Sequence, residues 1–394
     1  MIPAKRKSMF RFDAAPKTRT DSKMEFNPSR LALARKRRGL SKTALATQTG
    51  ISVRSLGYYE SKSSETTPSQ EHQAILARRL DLPIEFFCGD DVEEIESDAA
   101  SFRSLSGLSA SQRDAALAAG TFAKMLSEWI EQRFELPPPS IPSLRSFEPE
   151  GAAQALRTDW GLGERPIVNT VALLEFHGAR VFTLPVDSRK VDAFSLWHGG
   201  SPFVFLNTRK SAEHSRFDAC HELAHLTLHA HGIPRSREVE SEADQFAGAF
   251  LMPRGDVLAQ TPPTRTITAR VIHKLKKRWG VSAIALVYRL HKLEILTDWQ
   301  YRNLCIELSS AGFRSGEAGG IDRDVSQVFA KVFRALKAEG ITRGAIARDL
   351  ALTTAEIDSL LVGLAIASVS QPQGLTSTQG PTRHKTPKPT LRIV

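Results

Sequence analysis

The chain has 394 residues, 41% of them apolar, and a formal net charge of +10. That length allows two or three folded domains, and that apolar content suits globular ones. There is no apolar run near the ~20 residues of a membrane span and no apolar signal core behind the basic N-terminus. Cys88, Cys220 and Cys305 are too few and too scattered for a disulfide framework, so a reducing, cytoplasmic setting is expected.

Residues 1–60 hold fourteen Lys and Arg against four Asp and Glu, which accounts for the whole net charge and leaves the remainder nearly neutral. A positive field of this kind attracts phosphate. Residues 1–26 are polar and basic and read as a disordered arm. A helix is expected from Pro28 to Arg38, capped by Asn27 and ended by Gly39. Ser41 caps a second helix through Thr49, Gly50-Ile51 makes a tight turn, and Ser52 caps a third helix from Val53 to Glu60. Small Ala46, turn Gly50 and apolar Ile51 and Leu56 are what two helices crossing through a short turn require. Helices over Ser69 to Leu80 and Pro83 to Phe87 would close a five-helix domain over 27–91. The run from Pro28 to Phe87 resembles the Cro/repressor-type (XRE) helix-turn-helix family. The resemblance implies double-stranded operator DNA as partner, with Lys42, Ser52, Val53, Arg54 and Tyr58 as DNA-binding positions. Lys42 would touch phosphate, Arg54 a guanine and Val53 a thymine methyl. The block Arg35-Lys36-Arg37-Arg38 is expected on phosphate rather than bases. Oligomeric state is open, a homodimer being the usual form on a palindromic site.

Residues 92–150 read as a helical linker. Ala115, Leu117, Phe122, Met125, Leu126, Trp129 and Ile130 mark a long helix from Ser111 to Phe134, which ends at Pro137-Pro138-Pro139. Triproline cannot continue a helix, so the linker is expected to be a semi-rigid arm between domains that fold and work separately.

Residues 151–315 carry the most informative pattern. A helix over Asn169 to His177 and short strands over Val181 to Leu184, Phe194 to Trp197 and Phe203 to Leu206 precede His221-Glu222-Leu223-Ala224-His225. Residues four apart lie on one helix face, so His221 and His225 can reach one metal ion, with Glu222 beside them as the catalytic base. Ala219, Leu223, Leu226 and Ala230 form the apolar back of that helix. Ala243, Phe246, Ala247 and Phe250 then mark a second amphipathic helix. On another of its faces Glu240 is placed as third ligand and Asp244 as acceptor of a ligand histidine's spare N–H. Glu242 is the rival ligand but lies about 200° round that helix from Glu240. His229 lies ~12 Å along the axis from His221, too far to share the ion, and reads as a helix-end or cleft residue. Cys220 reads as a small buried side chain.

The run from Phe217 to His229 and the run from Glu240 to Pro253, with the strands before them, resemble the ImmA/IrrE family of metallo-endopeptidases over about 151–312. That resemblance implies a Zn2+-dependent endopeptidase with a minimal thermolysin-like core. Its substrate would be a regulatory protein, such as a repressor or antitoxin-like regulator. Cys220 stands where alanine is usual and Ala224 where glycine is, and neither change removes a ligand. The strand at Phe194 to Trp197 is a candidate edge for aligning a substrate as an added strand.

Residues 316–370 read as a C-terminal helical module. Ala347, Leu352 and Thr353 repeat the spacing of Ala46, Ile51 and Ser52. The third helix there opens Thr354-Ala355-Glu356-Ile357-Asp358, with acids where phosphate would lie, so packing or protein contact is expected rather than DNA binding. Residues 371–394 read as a flexible tail. The expected fold is mainly α with a small α+β part: a five-helix helix-turn-helix domain, a minimal thermolysin-like zincin domain and a C-terminal helical region. The function expected is a DNA-binding transcriptional regulator carrying a zinc endopeptidase. The alternative is a transcription factor whose peptidase-like domain senses a ligand or metal without turnover, and the intact Glu222 favours the enzyme.

Overall fold

A computed structural model describes residues 25–95, 109–184, 192–229, 236–312 and 320–365. The basic arm up to 24, Ala230 and the tail lie outside them. The described residues are mainly helical with one three-stranded sheet.

The N-terminal helices are α1 (Pro28–Arg37), α2 (Lys42–Thr49), α3 (Val53–Tyr59) and α4 (Gln70–Leu80). Asn27, Ser41, Ser52 and Ser69 each accept a first-turn N–H, which is why the helices start there. Gly50 ends α2 with φ 75°, a conformation that penalises any Cβ. The fifth helix expected at Pro83 to Phe87 is instead a 3-10 turn, Ile84–Cys88, whose N-terminus has no side-chain cap.

Each cation of the block from Arg35 to Arg38, expected on phosphate, is paired with a carboxylate of the protein. Arg35 grips both carboxylate oxygens of Glu60 at 2.6 and 3.0 Å, tying α1 to the end of α3. Lys36 meets Glu94 at 2.7 Å. Arg37 and Arg38 both bind buried Glu356, far along the chain. A guanidinium committed to a buried carboxylate is not available to a nucleic-acid backbone without breaking that pair.

Strands β1 (Arg180–Thr183), β2 (Ala193–His198) and β3 (Ser201–Leu206) lie in the order β1-β3-β2. β1 and β3 are parallel, and β2 and β3 form an antiparallel hairpin in which Phe194 faces Phe205 and Ser195 faces Val204. Two-residue alternation divides the sheet between two cores. Phe182, Phe194, Leu196, Phe203 and Phe205 point to one side, and Val181, Ala193, Val204 and Leu206 to the other.

The first side rests on α5 (Ala110–Glu131), which corrects the expectation of an arm. Every residue of α5 from 116 to 127 is buried, so the helix is surrounded rather than exposed. α1 packs on it, and at Gly120 an added Cβ would come within 3.5 Å of the Phe205 ring. The triproline is pinned too: Ser140 N–H donates to His177 O at 3.0 Å, and a Cβ on Gly178 would collide with the Pro138 backbone at 2.5 Å. The linker is therefore shared core, and the two halves are not independent bodies.

Helices α6 (Pro149–Asp159), α7 (Thr170–Phe176), α8 (Ala212–Leu228), α9 (Arg237–Leu251), α10 (Arg254–Gln260), α11 (Ala269–Leu275), α12 (Ala283–Lys292) and α13 (Asp298–Ser310) build the second core. α6 was not anticipated; it begins with Pro149 in its first turn, and it packs on α9. The C-terminal module is α14 (Gln327–Ala338), α15 (Arg343–Asp349) and α16 (Thr354–Ser359). It is strapped to the sheet where Thr183 N–H donates to Leu360 O at 2.9 Å and the Thr183 and Thr208 hydroxyls donate to Val362 O. It also meets α5, with Trp129 Nε1–H donating to Asp349 at 3.0 Å.

Candidate metal centre and helix-turn-helix face

Ser211 caps α8, whose Ala219, Cys220, Leu223 and Leu226 are buried. On another face His221 Nε2 and His225 Nε2 converge to 3.0 Å. α9, capped by Ser236, packs on α8 and brings Glu240 Oε2 to 3.5 Å from His221 Nε2 and Glu240 Oε1 to 3.8 Å from His225 Nε2. Bonds of ~2.0–2.2 Å in a tetrahedral zinc site put neighbouring donor atoms ~3.3 Å apart, and these three separations bracket that value. The donor set, two imidazoles and a carboxylate, also suits zinc with one position left over.

Asp244 Oδ1 lies 2.9 Å from His221 Nδ1. A proton on Nδ1 then serves the carboxylate and leaves the Nε2 lone pair directed at the cluster. Burial pushes the His221 pKa down. Hydrogen bonds to Asp244 and Glu240 and the Glu222 charge outweigh burial and raise it to about 10.

Glu222 is 1% exposed, and the Ser195 hydroxyl donates to its Oε2 at 2.6 Å. Ser195 comes from β2, where alternation turns it towards α8 between Phe194 and Leu196, which face the other way. The sequence reading missed it. A polar residue on the inward face of a buried strand was the available signal. Glu242 meets His229 at 3.1 Å and is not among the three clustered donors. His229 sits where α8 ends and lies 2.8 Å from His225 Nδ1. His229 is too far from His221 to share its ion, but it stands four residues after His225, and helical spacing brings those two rings together.

A second cluster of metal-ligand types, Asp192, His214 and Asp218, lies on and near the first half of α8. Here a cation is already present: Lys210 pairs with Asp192 and lies 3.2 Å from His214 Nε2. Burial pushes the Asp218 carboxyl up to about 6, against the pull of His214 and Lys210. A divalent ion would have to evict the ammonium.

On the N-terminal domain, Ser52, Val53, Arg54 and Tyr58 are all exposed along one side of α3. Arg54 Nε–H donates to Tyr58 Oη at 3.0 Å, which orients the guanidinium. Lys42, at the start of α2, lies 3.5 Å from Glu60 with 42% of its side chain exposed.

Residues 174–291 match the sequence profile of the IrrE N-terminal-like domain, a peptidase family, and residues 31–87 match the helix-turn-helix profile. The chain is thus a DNA-binding-type regulator with a peptidase-like domain, as its motifs imply. No curated protein matches it. Among the described residues no helix is long and apolar enough to cross a membrane.

Proposed function

We propose that this chain is a cytoplasmic transcriptional regulator whose peptidase-like domain holds zinc on His221, His225 and Glu240 and hydrolyses a peptide bond in a regulatory protein, of the repressor or antitoxin-like kind. The observation that carries the reading is the convergence of the two Nε2 atoms and Glu240 beside a buried Glu222. Zinc in such a site supplies a Lewis acid that polarises the scissile carbonyl and makes water a nucleophile at neutral pH. Glu222 takes the proton from the attacking water and passes it to the leaving amine. Ser195 fixes one Glu222 oxygen and so sets the plane of the carboxylate. β2, an edge strand among the described residues, offers its backbone for pairing with an extended substrate. Asp244 holds His221 in the coordinating tautomer.

On the DNA side, we propose that α3 enters the major groove with Arg54 pairing to a guanine, Val53 against a thymine methyl and Ser52 and Tyr58 flanking them. Lys42 would sit on phosphate. A homodimer on a palindromic operator is the proposed assembly.

The test uses the zinc-loaded full chain incubated with candidate regulators and followed by mass spectrometry. Defined fragments are expected from the wild type, and Glu222→Gln is expected to keep the metal and lose cleavage. A chain that binds zinc, leaves every regulator intact and changes operator occupancy with metal would favour the sensing alternative instead.

A further inference from the structure

We infer that His229 and Glu242 act together as positioning residues that lock His225 into the tautomer able to bind metal through Nε2; the inference rests on the zinc reading above. His225 Nδ1 and His229 Nδ1 face each other at 2.8 Å. Only one hydrogen fits between two imidazole nitrogens at that distance. The opposite nitrogen of His225, Nε2, points at His221 Nε2 and Glu240. A neutral His225 that gives its Nε2 lone pair to a metal must carry its proton on Nδ1. That proton is donated to His229, so His229 Nδ1 is the bare nitrogen. A neutral His229 then carries its proton on Nε2, which lies 3.1 Å from Glu242 Oε2, a carboxylate that can only accept when ionised.

Along this row of three side chains, His225, His229 and Glu242, every donor meets an acceptor. The reverse assignment fails at both ends. A proton on His229 Nδ1 would force the His225 proton onto Nε2, where the metal belongs, and would leave two acceptors facing each other at Glu242. The carboxylate thus sets the direction of the relay from its outer end.

The two ligand histidines are backed in different ways. His221 meets Asp244 directly at 2.9 Å. For His225 the carboxylate stands one ring further out, and His229 spans the gap. The backbone leaves α8 at His229, with φ −106° and ψ 139°. The His225 and His229 side chains are 5% and 12% exposed, so bulk water is a poor substitute for the relay.

The test is zinc affinity of the full chain, measured by competition with a chelator, together with the visible spectrum of the cobalt-loaded protein. His229→Leu should weaken zinc binding 10–100-fold, as loss of a ligand's hydrogen-bond partner does. His229→Asn places an amide oxygen where Nδ1 accepted, and should recover to within about fivefold of wild type with a wild-type cobalt spectrum. Glu242→Ala should cost an intermediate factor of about three to ten. Thermal melting of the metal-free variants checks the fold, and if His229→Leu does not fold, Glu242→Ala against Glu242→Gln carries the test. Wild-type affinity in His229→Leu, or in Glu242→Ala where that carries the test, would overturn the relay, as would His229→Asn no tighter than His229→Leu. A wild-type chain that takes up no zinc would instead defeat the metal reading itself.

Discussion

Gly50 and Ala351 occupy the same point in two turns of this chain, with φ of 75° and 52°. Around them the two ends of the molecule run in parallel. Lys42 and Arg343 open the second helix, Ile51 and Leu352 fill the turn, Ser52 and Thr353 cap the third helix, and Leu56 and Ile357 bury its inner face. The surroundings then diverge. In α3 the outer residues Val53, Arg54 and Tyr58 are exposed. In α16 the corresponding helix turns Glu356 into the protein against Arg37 and Arg38, and Asp358 neutralises Arg343 at 2.5 Å. The lesson is that the helix-turn-helix spacing encodes a way for helices to cross. Whether the third helix reads DNA is decided separately, by its charge and by what covers it.

The comparison can be broken most severely at Glu356. Glu356→Ala leaves two guanidinium groups without their buried carboxylate and is expected to destabilise the chain by about 3–5 kcal/mol. Urea denaturation measures this, and a loss below about 1 kcal/mol would mean that α16 is not a packing element. Arg54→Ala is the counterpart on the exposed helix. It should cost about 1–3 kcal/mol of DNA binding at one base position, read by binding to single-base operator variants, with a stability change within about 0.5 kcal/mol. Equal losses on specific and random DNA would remove Arg54 from base reading.

The turns themselves sharpen the comparison. Gly50→Ala should destabilise by about 1 kcal/mol, and conformation alone is responsible, because nothing lies within 4 Å of the added Cβ. Ala351→Gly should go the other way by about 0.5 kcal/mol, the relief of positive φ being partly offset by the lost methyl contact. Paired melting curves test the opposite signs; the same sign in both would mean that the turns are not equivalent. The smallest effect expected is that of Lys42→Ala, which should weaken binding to all sequences alike and lower the salt slope by about one. A sequence-dependent loss would move Lys42 from phosphate to a base.

Much of this could be read from residue order because the features are local. Caps at Asn27, Ser41 and Ser52 precede the helices they start, and His221 and His225 share a face through helical spacing alone. The strands expected at 181–184, 194–197 and 203–206 follow from short β-rich runs and are found at Arg180–Thr183, Ala193–His198 and Ser201–Leu206, the hairpin making β3 start two residues early. The arm expected at 92–150 failed for a physical reason. The apolar residues of α5 predicted a buried face, but α5 also buries Thr121, Lys124 and Ser127, because α1, the sheet and the C-terminal module surround it. The basic block at 35–38 misled in the same way: its cationic charge was plain, but its anionic partners were not.

What the sequence determined by itself was therefore the helix-turn-helix segments, the long helix α5, the three short strands, the crossing turns and the pair of histidines, all governed by hydrogen bonds and side-chain periodicities within a few residues, whereas α6 escaped it. The tertiary structure alone decided which charges meet. It brought Glu240 and Asp244 from α9 to His221, Ser195 from an edge strand to Glu222, Glu242 to His229, and Glu356 to Arg37. The energies of such pairs depend on separation through space and on burial, and both arise only once two cores have closed on opposite faces of one small sheet.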